Sequence, residues 1–214
     1  EANNTEFSFR TEEKFDNEIK KNTNPNGNFN QKNAENIILN NWNMQFSKKI
    51  TTSKYMLAFD DFQKKKASEG GFRRGPRARE NFEKFLSTLV KSSYAFAEIK
   101  DPLILRTPTD EFGSSAEKLN LSNQLTLLNI TNLKQFYALY FALRHHNHKC
   151  DIVINYIKLV EKTYVNLLLL AEQSPAKIES VFSSFDDIYR GAKGSLPHVR
   201  TDMKKYLNIL DERI

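Results

Sequence analysis

The 214-residue sequence predicts an all-α fold, an irregular bundle of about seven to nine helices, and three observations carry that expectation. Apolar residues recur at i, i+3, i+4 and i+7 through most of the chain, the spacing that lines one face of a helix. The seven glycines and six prolines fall between the periodic stretches and are too few for the many turns of an all-β protein. A hydrophobic fraction of 39% with 27% charged residues suits helices that have one apolar stripe and one wet face.

Residues 1–31 form a polar, asparagine-rich N-terminal segment, in which Phe9 to Lys20 suits a short helix and Thr23 to Asn28 reads as a turn. Residues 32–214 read as a single helical domain. Ile38, Trp42 and Phe46 fall four apart and define one helix face, and Tyr55, Phe59 and Phe62 repeat the arrangement. The stretch 64–79 carries Gly70, Gly71, Gly75 and Pro76 at its centre and reads as a loop with helical ends. Beyond it, Phe82, Phe85, Leu86, Leu89, Val90, Phe96 and Ala97 predict a helix that Asp101 ends, because the residue before a proline is pushed out of the α region.

Leu103 to Gly113 holds a proline, a glycine and several turn-formers, and reads as a connection. Helices are expected over Ser115 to Asn129 and Thr131 to His145, with a tight break between them and a polar junction from His145 to Lys149. Asp151 to Gln173 is apolar on more than one side, which predicts the central, buried helix. Ser174 and Pro175 supply an N-cap and a first-turn proline for the next segment, whose stripe is Ile178, Val181, Phe182, Phe185, Ile188 and Tyr189. A last helix is expected from near Pro197, with Val199, Met203, Tyr206, Leu207 and Leu210 on its apolar face.

Charge is the most informative single property. The formal net charge is +6, and Lys64, Lys65, Lys66, Arg73, Arg74, Arg77 and Arg79 stand within one short stretch, opposed there only by Glu69. Without that stretch the chain has 25 basic and 25 acidic residues, so a neutral body carries one basic feature. Cations on a glycine-containing loop can follow a phosphate backbone, and Phe72 among them can stack on an unpaired base. A solvated loop that serves solubility is the plainer reading of the same residues. A phosphate-binding P-loop is excluded, since no Gly-Lys-Ser or Gly-Lys-Thr ending and no preceding strand is present.

A lone cysteine, Cys150, leaves no intramolecular disulfide and points to a reducing, cytoplasmic setting. The apolar run around Val165 to Ala171 falls far short of the roughly 20 residues that span a bilayer, and Glu1 to Lys21 is too polar for a signal peptide. A chain that starts at Glu1 is compatible with a piece cut from a longer protein.

Other residues of chemically active types group together without forming a motif. Arg144, His145, His146, His148 and Cys150 are of types that bind metals or catalyse, but adjacent histidines on a helix point about 100° apart and no second ligand pair stands elsewhere at a zinc-site spacing. The spacing from Arg144 to the histidines is also shorter than the arginine-x4–6-histidine motif of helical toxin ribonucleases. A polar helix end, where the dipole favours imidazole, accounts for the cluster. Asp60 and Asp61, like Asp186 and Asp187, read as solvated helix faces, because neighbouring acids project in different directions and neither pair has a nuclease-type lysine. Tyr137, Tyr140 and Phe141 at helical spacing read as core. No catalytic residue, metal site or cofactor is called for.

The order of these segments resembles the helical part of the GmrSD-type restriction family over roughly Lys32 to Arg190. The resemblance is carried by the Trp42-bearing helix, the segment Lys54-Tyr-Met-Leu-Ala-Phe-Asp-Asp-Phe-Gln-Lys64, and the helix ending Tyr94-Ala-Phe-Ala-Glu-Ile-Lys-Asp-Pro102. The segments 133–143, 152–170 and 178–190 complete it. It implies a modification-dependent DNA restriction system of antiphage defence. The family's Asp-Gly-Gln-Gln-Arg nucleotide-handling motif and its His-Asn-His nuclease domain are both missing, since His146-Asn147-His148 lacks a ββα metal context. The family's catalysis therefore does not transfer to this chain. The expectation is a non-catalytic helical module of a DNA-targeting defence protein that contacts phosphates through residues 64–79. The alternative is a helical protein–protein interaction or dimerisation scaffold, and an enzyme with a site around Arg144 to Asp151 ranks below both. Expected partners are DNA, other domains of a longer chain, or a second copy.

Overall fold

The computed structural model describes residues 17, 18, 20–23, 30–45, 77–106, 111–134 and 136–165. All regular structure among them is helical and none is strand, as the apolar periodicity requires. Residues 17, 18 and 20–23 are helical. Then come α1 (Gln31–Gln45), α2 (Ala78–Lys100), a 3-10 turn (Pro102–Arg106), α3 (Ser115–Ile130), α4 (Tyr137–His145) and α5 (Cys150–Val165). The stripes expected at 55–62 and 178–189, the helix from 197, and both aspartate pairs lie outside the described residues.

The contacts divide into two compact units, Glu1–Ala97 and Glu98–Ile214, so that α2 gives Glu98, Ile99 and Lys100 to the second. In the first unit, Asn30 opens α1 by accepting the Asn33 amide on its side-chain oxygen, an N-cap one turn before the apolar stripe begins. The buried face of α1 carries Ala34, Ile37, Asn41, Trp42 and Met44. Trp42 is buried as the expected stripe requires, Ile37 rather than Ile38 is fully buried, and Phe46 lies outside the described residues. On α2 the face is Phe85, Thr88, Leu89, Ser92, Ser93 and Phe96, an uninterrupted i, i+3, i+4, i+7 pattern. Three of those positions are small hydroxyl residues, which a purely apolar reading passes over, while Phe82 at the helix start is exposed.

The hydroxyls are used in packing. Ser92 donates to the Asn41 side-chain oxygen at 2.8 Å, and the Asn22 amide donates to Ser93 at 2.8 Å. Trp42 meets Phe85 edge-on with ring centroids 5.8 Å apart. Buried side-chain hydrogen bonds of this kind set one register between the elements that share them, although the Asn41 Nδ2 atom is buried with no hydrogen-bond partner among the described residues.

In the second unit α3 packs against the 3-10 turn and α5, and α4 packs against α5. Helix α2 ends where the sequence predicts, with Asp101 outside the helix and its carboxylate accepting the Leu103 amide at 3.2 Å. The connection that follows contains the 3-10 turn, with Pro102 and Leu105 buried. Ser114 starts α3 through a capping box: its hydroxyl accepts the Glu117 amide, and Glu117 reaches back to the Ser114 amide at 2.7 Å.

Two expectations are corrected here. Helix α4 begins at Tyr137, not Thr131, because Thr131 to Leu133 are used in ending α3 and turning the chain. Asn132 adopts φ 54° and donates to Asn129 O, and Leu133 donates to Leu128 O, the paired bonds of a Schellman motif. Second, the helix buried all round is α4, in which Tyr137 to Leu143 are each buried. Helix α5, expected in that role, has a wet stripe of Asp151, Asn155, Lys158 and Lys162 among its described residues. Tyr137, Tyr140 and Phe141 are core, as their spacing predicts.

Candidate functional site

Two regions were singled out from the sequence, and the structure treats them differently. Of the basic segment, Lys64, Lys65, Lys66, Phe72, Arg73 and Arg74 lie outside the described residues. Arg77 and Arg79 are described, and both are exposed at the start of α2. Arg77 occupies the turn before the helix and its carbonyl accepts the Asn81 amide at 2.9 Å. Arg79 lies in the first turn and pairs through Nε with Glu83 at 2.8 Å, one helical turn further on.

That end of α2 is electrostatically unusual. Free backbone N–H groups give a helix N-terminus a partial positive charge, so acids there stabilise and bases do not. Glu80 fits the rule, and Arg77 and Arg79 run against it. An exposed i, i+4 ion pair is worth only about 0.3–0.5 kcal/mol, so the Arg79–Glu83 bond can be exchanged for a stronger anion. The arrangement can attract and hold negative charge.

The region from Arg144 to Cys150 is tied into the packing of the second unit. Arg144 makes a forked pair with Glu98, Nε to Oε2 at 2.8 Å and Nη2 to Oε1 at 2.7 Å. Tyr140 donates its hydroxyl to the same carboxylate at 2.9 Å. The guanidinium also stacks over the Phe112 ring, 3.7 Å from its centroid. Burial, followed by the Glu98 charge, drives the Tyr140 hydroxyl pKa well above the usual phenol value, so this tyrosine stays a donor.

His146, Asn147 and His148 form the C-terminal cap of α4. Asn147 has φ 54° and donates to Arg144 O, and His148 donates to Leu143 O at 3.2 Å, a second Schellman motif. The three letters shared with a nuclease motif are a helix end here, with asparagine at the left-handed position it tolerates better than most residues. Burial, with His146 nearby, lowers the His148 pKa and favours its neutral form. Cys150 is fully buried, and burial pushes its thiol up to about 12, far from a reactive thiolate at neutral pH. Gly113 lies against it: a Cβ at Gly113 would stand 2.5 Å from the Cys150 Cβ. Among the described residues no group of three or more His, Cys, Asp and Glu side chains stands together as a metal site would need.

Sequence reasoning passed over Glu98, Phe112 and the Ser114–Glu117 box. The box was legible as Ser-x-x-Glu before an apolar run. Glu98 and Arg144 are 46 residues apart, and no local signal joins them. Comparison with family models, curated proteins and solved structures returns no match for this chain.

Proposed function

We propose that this chain is a non-catalytic helical module of a DNA-targeting defence protein, and that it touches nucleic-acid phosphates through Lys64, Lys65, Lys66, Phe72, Arg73, Arg74, Arg77 and Arg79. The observation that carries the reading is that the whole net charge of +6 resides in residues 64–79, on a chain that is otherwise neutral. Its described end adds support, because Arg77 and Arg79 stand exposed beside a helix N-terminus, where backbone dipole and side-chain charge have the same sign. The resemblance to the helical part of the GmrSD-type restriction family belongs to this proposal, as does a cytoplasmic location and a total of about seven to nine helices. For the location, the supporting fact is that no described helix is long and apolar enough to cross a membrane.

Phosphate contact by this segment is sequence-independent and driven by counterion release. With about four phosphates neutralised on a duplex, log K falls against log salt with a slope of roughly −3.6. Fluorescence anisotropy on duplex and single-stranded DNA at several salt concentrations measures that slope. Replacing Arg73, Arg74, Arg77 and Arg79 by alanine should weaken binding at low salt and flatten the slope. Unchanged affinity in that variant removes the segment from the interface.

A further inference from the structure

The two units have interiors of different kinds. Among the described residues of the second unit, 21 buried hydrophobic side chains stand against two polar ones, Lys118 and Ser122. Among those of the first, nine stand against six: Asn22, Thr23, Asn41, Thr88, Ser92 and Ser93. Several of the six join one element to another. Asn22 bonds to Ser93 and Asn41 to Ser92, both across to α2, and the Asn33 side chain donates to the Thr23 carbonyl at 2.8 Å, tying α1 to the helical residues 20–23. Such bonds fix where the elements meet but add little cohesion, because water makes the same bonds to the separated surfaces. The buried Asn41 Nδ2 atom, which has no hydrogen-bond partner among the described residues, gains by being wetted.

Helix α1 is also weak in itself. Five of its 15 residues are asparagine, which ranks low as a helix former because its amide competes for nearby backbone groups. Two do so here: Asn36 donates to the Lys32 carbonyl at 2.9 Å and Asn40 to the Asn36 carbonyl at 2.8 Å. The first turn of α1 has no acid and the last no base, whereas α2 has Glu80 and Lys100 in those places to complement its dipole.

We propose that α1, together with the helical residues 20–23, is a detachable element that undocks from the Ser92–Ser93 face of α2 and loses its helix while the core of α3, α4 and α5 stays folded. The seam that opens is made of amides and hydroxyls, which water solvates at little cost, and the core that stays closed is one whose exposure water opposes. Burial of Ile37, Trp42 and Phe85 keeps the docked state the more populated one. The opening is independent of the phosphate reading.

Trp42 is the single tryptophan and is 4% exposed, so its emission follows this docking. In a urea titration of the full chain, the red shift of Trp42 should precede the loss of far-ultraviolet ellipticity, with a midpoint lower by about 1 M. Native-state hydrogen exchange read by mass spectrometry should find the α1 amides exchanging at least about a hundredfold faster than those of α4. Ser92→Ala leaves the Asn41 side chain without its bond, and should speed α1 exchange about tenfold further with α4 unchanged. Asn41→Leu combined with Ser92→Ala replaces both partners by apolar groups, and should slow α1 exchange and draw the two urea midpoints together. Coincident fluorescence and ellipticity transitions in the parent chain overturn the proposal. So do α1 amides as protected as those of α4, or a Ser92→Ala variant that speeds exchange in α1 and α4 alike.

Discussion

Arg144 donates from Nε and Nη2 to the two oxygens of Glu98, and Tyr140 adds a hydroxyl donor to the same carboxylate. With side-chain exposures of 21% for Arg144 and 13% for Glu98, the pair is largely screened from water. Removing one member leaves the other partly buried without its counter-charge, which costs more than the pair itself contributes. Arg144→Ala should therefore lower unfolding stability by about 2–3 kcal/mol in urea titration, through the stranded Glu98 carboxylate and the lost stack on Phe112. Cys150 belongs to the same scale. Because its thiol is buried and pushed up to about 12, alkylation should be negligible in the native protein at neutral pH and rapid in denaturant. Mass spectrometry after a timed pulse of iodoacetamide checks this. The residue types from Arg144 to Cys150 were legible as a cluster, but their partners were not, because Glu98 and Phe112 come from distant parts of the chain.

Helix α3 shows how ends are set by few residues. Its start is the Ser114–Glu117 capping box, and its stop is Asn132 in the left-handed conformation. Ser114→Ala should cost about 1 kcal/mol, read as a lower thermal midpoint and faster amide exchange in the first turn of α3. The Ser114 hydroxyl, with the Ser114 backbone N–H, holds the Glu117 carboxyl below the usual carboxylate range. A carboxyl depressed in the folded state contributes stability that is present above its unfolded value and lost as the pH falls through the folded one. The cap should therefore loosen on acidification. An NMR titration should find the Glu117 pKa below the ordinary value of about 4.3, and Ser114→Ala should return it toward that value. Helix α4 failed at its predicted start for a related reason. The expected helix takes in Thr131 to Phe136, yet Asn132 closes one helix before the next begins. Asparagine at a left-handed cap is a weaker sequence signal than glycine, so the stop was not marked.

At the scale of the whole molecule the decisive quantity is where charge sits relative to the core. Replacing Arg73, Arg74, Arg77 and Arg79 by alanine lowers the formal net charge from +6 to +2, and the two described members are both exposed. The thermal midpoint should stay within about 1–2 °C of the parent while nucleic-acid affinity at low salt falls, since surface substitutions seldom exceed 0.5 kcal/mol. A large loss of stability in that variant would instead assign the arginines a structural role. What the sequence by itself determined is the helical class of the described residues, the ends of α2 and α3 at Asp101 and Ser115, and the confinement of net charge to residues 64–79. Each follows from properties local to the chain: apolar period, the backbone limits of proline and hydroxyl caps, and a count of charges. Tertiary structure alone decided that α4 rather than α5 is buried all round, that Ile37 rather than Ile38 faces inward, and that Arg144 is held by Glu98. Those outcomes depend on which surfaces meet, and residues brought together across 46 positions leave no mark in any local window of sequence.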